Sequence, residues 1–141
     1  MIKTVDGVRM INFSSYTESD IGWGTLVPLE FKHDIPFNVE RMFSVYAVDS
    51  KQHRGLHAHY KTQQVLICVN GRCGVVCKDG KNSKSFLLDS PSVGLYIPEM
   101  IWDEQVYMSY DTVLLVLAST SYNRNDYIES WSEYLKAQGL S

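Results

Sequence analysis

Two dipeptides, Asn70-Gly71 and Asp79-Gly80, constrain this chain more than any other feature. Asn, Asp and Gly enter left-handed backbone at little cost, so each dipeptide marks a tight turn between the apolar runs that flank it. They predict three consecutive strands, at 64–69, 72–77 and 85–88, joined as two hairpins. Further short β-rich runs at 10–13, 24–30, 39–48, 55–59, 95–97, 102–107 and 112–119 follow the same habit. Turn signals separate them at roughly eight-to-twelve-residue spacing, which is the rhythm of a sandwich or barrel. Residues 32–36 and 49–53 read as loops. Within 39–48, Phe43, Val45 and Ala47 alternate with Ser44 and Tyr46, so one face is expected to be buried. Val113-Leu114-Leu115-Val116-Leu117 has no polar alternation and is expected to be covered on both faces. Only the last stretch changes period. Ile128, Trp131 and Leu135, flanked by Tyr127 and Tyr134, suit a helix capped by Asn125 or Asp126 and stopped by Gly139. The expected fold class is all-β, a double-sheet jelly-roll barrel with one C-terminal helix outside the sheets.

A chain of 141 residues with 45% hydrophobic and 21% charged residues is expected to form one domain, 1–141, with a core large enough to need no staple. The net charge of −3 argues against nucleic acid as a partner, because that role takes a basic face. No run approaches the roughly 20 apolar residues of a membrane span, and Lys3, Asp6 and Arg9 interrupt the early apolar runs, so neither membrane nor leader is expected. Cys68, Cys73 and Cys77 lack CxxC spacing and read as buried free thiols of a cytoplasmic protein.

The chemistry concentrates in Arg54-Gly55-Leu56-His57-Ala58-His59. Residues i and i+2 of a strand share a face, so His57 and His59 point together into the barrel. Imidazole accepts and returns protons near neutrality, and two on one face point to proton transfer. The spacing from His57 and His59 through Gln64 to Gly71 resembles the metal-binding frame of the cupin superfamily, as does Gly94 through Pro98 to Trp102-Asp103. That resemblance makes the expected barrel cupin-type. However, Gln64 stands where that frame has glutamate, and Asp103 where it has the last histidine. An amide is a weak ligand for a transition metal, although two His and one Asp would still form a facial triad. The expectation is no metal, with a metal-dependent cupin as the alternative.

More specifically, the chain resembles the sugar-nucleotide 3,4-ketoisomerases. The matching residues are Ile35-Pro36-Phe37-Asn38-Val39-Glu40-Arg41, Arg54 to His59, Gln64-Val65-Leu66, Leu88-Asp89-Ser90-Pro91, Gly94-Leu95-Tyr96-Ile97-Pro98, Trp102 with Glu104, Val113 to Ser119, and Tyr122 to Tyr127. The likeness runs from about Gly24 onward. It implies a metal-free enzyme without cofactor, acting on thymidine-diphosphate-4-keto-6-deoxyglucose in deoxysugar synthesis for surface polysaccharide or glycoside. It makes His57 and His59 the base and its acid or orienting partner, in an order left open, with a protonated imidazole available to steady an enediolate oxygen. Arg41 and Arg54 would then bind diphosphate or sugar oxygens in the two-pronged manner of guanidinium; otherwise they are exposed strand residues. Tyr46 is a donor to a sugar hydroxyl or a core tyrosine, and Trp102 a base-stacking platform or a packed wall. Three positions depart from the family pattern. Trp23 replaces an arginine within the run Asp20 to Leu26, Phe43 replaces a tyrosine, and Asp103 replaces the histidine of Trp-His-Glu. Asp103 either binds at the site by orienting a histidine or is a solvated loop carboxylate. A homodimer is expected on family grounds. The competing functions are a metal-dependent cupin enzyme, a non-catalytic sugar-nucleotide-binding cupin and a 3,5-epimerase.

Overall fold

The computed structural model describes residues 4–17 and 22–140, so Lys3, Asp20 and Ile21 of the runs above lie outside the described residues. The chain forms β1 (Arg9–Asn12), β2 (Tyr16–Thr17), β3 (Thr25–Leu26), α1 (Phe31–Asp34), β4 (Arg41–Val45), β5 (His53–His59), β6 (Gln64–Asn70) and β7 (Cys73–Lys78). It continues through β8 (Ser83–Leu88), β9 (Val93–Ile97), β10 (Trp102–Tyr107), β11 (Val113–Ala118), a 3₁₀ turn (Arg124–Asp126), β12 (Tyr127–Ile128) and α2 (Trp131–Ala137). Two five-stranded sheets with antiparallel pairing face each other, in the orders β1-β9-β6-β11-β4 and β12-β5-β10-β7-β8. This is the all-β, cupin-type double-sheet arrangement with one C-terminal helix. Among the described residues, no helix is long and apolar enough to cross a membrane.

The sheets meet over one apolar interior. Leu66, Leu95, Leu114 and Val116 from the first sheet pack with Val75, Leu88, Tyr107 and the thiols of Cys73 and Cys77 from the second. All three cysteines are free and buried. Loss of water around them pushes their thiols up, Cys73 to about 12, so they are inert packing groups. β11 is covered on both faces. Leu114 and Val116 turn inward, while Leu115 and Leu117 turn outward onto a second cluster with Phe13, Ile35 and Val65. Val27, Leu29, Phe37 and Val39 complete that cover, which explains the absence of polar alternation in β11.

Several local expectations are corrected. Asn70-Gly71 marks a turn, and Gly71 has φ +73, but β6 and β7 belong to different sheets and do not pair. The dipeptide turns a corner between sheets, held there by Asn70 Nδ2 donating to Asp111 O at 2.8 Å. Asp79-Gly80 does close a hairpin, with Lys78 opposite Ser83 and Asp79 Oδ1 accepting from Lys81 N and Asn82 N. The strand expected at 24–30 is only Thr25–Leu26, and the loop expected at 32–36 begins as α1. The loop expected at 49–53 gives way to β5 at His53.

The terminal helix starts later than expected. Ser130, not Asn125 or Asp126, caps it, with Ser130 Oγ accepting from Glu133 N at 3.4 Å. Tyr127 and Ile128 are instead a strand paired to His59 and Ala58. Two extended residues here let Tyr127 face the interior while Ile128 joins Ala58, Trp102 and Tyr134 beneath α2.

Candidate active site

His57 and His59 lie on β5 and both face inward, since the intervening Ala58 belongs to the outer cluster under α2. Their rings meet edge to face, with centroids 4.9 Å apart. Tyr127, directly opposite His59, packs its ring 4.5 Å from His59 and 5.2 Å from His57. Asp126 fixes this wedge. Its carboxylate accepts from Lys61 N at 2.8 Å, Thr62 N at 3.2 Å and the Thr62 hydroxyl, while its backbone oxygen accepts from Tyr60 N. The turn leaving His59 is thereby tied to the segment that carries Tyr127.

The two histidines differ in their partners. His57 Nδ1 lies 2.9 Å from Gly55 O. A carbonyl oxygen only accepts, so Nδ1 carries a proton, and in the neutral ring Nε2 is the acceptor. His59 is 4% exposed, and its Nε2 is buried without a partner. Burial first, then the charges of His57 and Arg41, lower its pKa to about 4, against an upward pull from Asp126. It is neutral at physiological pH, so the protonated imidazole expected from sequence is not resting His59.

A bulge sets the geometry of this strand. In the pairing of β5 with β10, Asp103 lies opposite His57 and Glu104 opposite Gly55, leaving Leu56 as the extra residue. Gly55 and Leu56 both adopt left-handed backbone, φ +76 and +56. Glycine is required at 55 for a second reason. A Cβ there would stand 2.6 Å from Asp103 Oδ1 and 2.9 Å from Asp103 O. Because Leu56 is extra, Arg54, opposite inward-facing Gln105, shares the face of His57. Simple alternation would have placed it on the other side. Arg54 is exposed there, and its charge lowers the pKa of Tyr107 even as burial raises it.

The opposite sheet supplies Arg41. It pairs with Ala118, which pairs with Gln64, so Arg41 and Gln64 share one inward row. The Arg41 guanidinium carbon lies 5.3 Å from the Phe43 ring centroid and 5.6 Å from that of Tyr122, and its Nε is buried without a partner. Asp103 is 1% exposed, so the solvated-loop alternative is excluded and the carboxylate faces inward beside Gly55.

Two expected site residues are placed elsewhere. Tyr46 follows β4 on the parity of Met42 and Ser44 and is 67% exposed. The two-residue period that turns Phe43 inward turns Tyr46 out. Trp102 is 5% exposed on the outer face of β10, packed against Trp131 and Tyr134, with its indole N–H toward Glu104 Oε1 at 3.3 Å. It is a wall beneath α2 and does not line the histidine pair. Conversely, the sequence reading gives Gln105 and Tyr107 no role and assigns Asp126 and Tyr127 only to the start of the terminal helix. Period-two reading of 102–107 already puts Asp103, Gln105 and Tyr107 on one face, and Ser130-Trp131-Ser132-Glu133 is a capping-box spacing that would have freed Tyr127 from the helix. Among the described residues, no three His, Cys, Asp or Glu side chains converge as metal ligands. Gln64 shares their interior but is an amide, so the donor set does not fit a transition metal.

Comparison with known proteins places the chain among relatives of one family. A curated relative, the TDP-4-oxo-6-deoxy-alpha-D-glucose-3,4-oxoisomerase of Aneurinibacillus thermoaerophilus, is 39% identical over 128 residues, 91% of this chain and 90% of the relative. A histidine-to-asparagine variant of the 3,4-ketoisomerase QdtA from Thermoanaerobacterium thermosaccharolyticum, solved in complex with TDP-4-keto-6-deoxyglucose, superposes with TM-score 0.90 at 37% identity, covering 96% of each chain. A 3,4-ketoisomerase from Helicobacter canadensis gives TM-score 0.88 at 38% identity, over 94% of this chain and 98% of that one. The family model described as FdtA, WxcM-like, C-terminal, matches residues 6–139, and the chain belongs to that family.

Proposed function

We propose that this protein is a 3,4-ketoisomerase of a thymidine-diphosphate-linked 4-keto-6-deoxy sugar, with His57 as the base. The observation that carries this reading is the placement of the two imidazoles on β5. The Nδ1–H of His57 is committed to Gly55 O, which turns Nε2 to the substrate side, and in the same interior His59 Nε2 and Arg41 Nε are buried without partners. Buried polar atoms without partners are costly, and substrate oxygens would satisfy them.

The C3 proton of a 4-keto sugar is acidic because the carbonyl delocalises the resulting charge. His57 Nε2 takes that proton, giving an enediolate with negative charge on the C4 oxygen. His57 then returns a proton to C4, while the C3 hydroxyl proton passes to the C4 oxygen through the hydrogen bonds of the site. Carbon 3 is oxidised, carbon 4 is reduced, and no external oxidant enters the balance. Neutral His59 is the orienting partner and hydrogen-bonds a sugar oxygen through Nε2. Arg41, braced between Phe43 and Tyr122, and Arg54 at the rim hold the anionic part of the substrate. The enzyme acts in the cytoplasm as a homodimer, a reading supported by reduced thiols and by the exposed Met42, Tyr16, Trp23 and Leu26 around β4 and the β2–β3 hairpin.

The test is incubation with the 4-keto sugar nucleotide in deuterated water, followed by NMR. A 3-keto product from the wild-type protein, lost in His57→Ala and His59→Ala, is expected. Binding without turnover overturns the enzyme reading, and deuterium at C3 and C5 without ketone migration makes the protein an epimerase.

A further inference from the structure

We propose that Asp103 is a positioning residue for His57, held in place by a buried string that runs through Gln105 to Tyr107. The inference rests on the ketoisomerase reading for its consequence, though not for its geometry. Asp103, Gln105 and Tyr107 occupy alternate positions of β10 and all face the interior, where each is at least nine-tenths buried. The direction of the string is fixed by elimination. Tyr107 O–H is 2.9 Å from Gln105 Oε1, which only accepts, so tyrosine donates. The amide Nε2 must then face Asp103 Oδ1, 3.0 Å away, and the carboxyl accepts. Asp103 lies opposite His57 in the ladder, and its Oδ1 stands 2.6 Å from where a Cβ on Gly55 would sit, the residue whose carbonyl holds His57 Nδ1.

A tyrosine and an amide at the centre of an apolar interior are expensive unless each is paired, and here the pairing ends on a carboxyl beside the proposed base. Of the basic groups on this face, His57 stands directly opposite that carboxyl in the ladder, with Arg54 two positions further along β10, opposite Gln105. From β7 come the Cys73 and Cys77 thiols, and from β6 the Cys68 thiol facing Cys73 and Tyr107. Arg54 reaches toward Tyr107, and Glu104 on β10 faces outward to Lys78. His57 itself faces His59 and Tyr127. Burial holds the Asp103 carboxyl above the ordinary carboxylate range, against a downward pull from His57 and the Gln105 amide. When Nε2 takes the substrate proton, the new imidazolium therefore meets a carboxyl already oriented toward its strand position. Tyr107 and Gln105 keep that carboxyl from turning away.

The test follows the His57 imidazole by heteronuclear NMR titration of the unliganded protein, assigned through His57→Asn, in wild type, Asp103→Asn, Gln105→Leu and Tyr107→Phe. The expected result is a His57 pKa lowered by about one unit or more in Asp103→Asn, as loss of a nearby opposite charge requires. Smaller shifts of the same sign are expected in Gln105→Leu and Tyr107→Phe. The acidic limb of kcat/KM with TDP-4-keto-6-deoxyglucose should move to lower pH by the same amounts, with kcat falling and KM little changed. An unmoved His57 titration in Asp103→Asn overturns the proposal. A shift in Asp103→Asn alone, with none in Gln105→Leu or Tyr107→Phe, overturns the string. If Asp103→Asn does not fold, Tyr107→Phe, which removes a single oxygen, decides the matter. The titration needs no turnover, so absence of a 3-keto product from the wild type would refute the ketoisomerase reading and leave this result standing.

Discussion

The two sheets are built to different rules. The β1-β9-β6-β11-β4 sheet is apolar on both faces along β6 and β11, and its inward surface is mostly aliphatic apart from the row of Arg41 and Gln64. The β12-β5-β10-β7-β8 sheet interrupts its apolar interior repeatedly. It carries a bulge at Leu56, left-handed backbone at Gly55 and Leu56, and inward His57, His59, Asp103, Gln105 and Tyr107. One sheet supplies most of the burial that holds the fold, and the other places polar groups against it. The proposed chemistry sits where the pleat is broken, because a bulge brings together side chains that regular alternation would separate.

Substitutions should separate these roles. The largest effect is expected from His57→Asn, a loss in kcat on the order of 10³-fold, with a melting curve near that of wild type; unimpaired turnover would move the chemistry off β5. Leu114→Ala, in the other sheet, should lower unfolding free energy by about 3 kcal/mol in urea titration, leaving kcat per folded molecule unchanged. Acid should act through His59. Its folded pKa of about 4 lies below the unfolded 6.5, so the unfolded chain binds the extra proton between these values. Stability is then complete above pH 6.5 and falls toward pH 4, by about 3 kcal/mol; thermal melts across that range should show a fall that His59→Gln flattens. Gly55→Ala tests whether the bulge serves catalysis more than folding. Its Cβ would displace Asp103 and be strained at φ +76, so kcat should fall further than the stability loss explains. The smallest effect is expected from Ser130→Ala, which removes the α2 cap and should cost about 1 kcal/mol in thermal unfolding without changing kcat.

Much of this was legible in the chain. The alternation of β4 as far as Val45, the doubly covered β11, the turn dipeptides and the His57–His59 pairing all follow from local rules of backbone and burial, whereas Ala47, expected on the buried face, lies past the end of β4, exposed and left-handed at φ +58. The errors share a cause. Asn70-Gly71 specifies a turn but not which strand lies beside the next, and that choice is made by contacts distant in sequence. Tyr127 fitted a helical period until its partner His59 was known, and Trp102 matched a binding role until its parity placed it under α2.

By itself, the sequence determined an all-β chain with an inward pair of histidines, because strand period is local and additive. Tertiary structure alone decided the rest. It brought Arg41 from the opposing sheet, set Tyr127 against both imidazoles, withdrew Tyr46 and Trp102 from the site, and used one extra residue at Leu56 to turn Arg54 inward. The same burial leaves His59 neutral. The protonation state of a side chain and the company it keeps depend on what packs around it, which a period of two cannot encode.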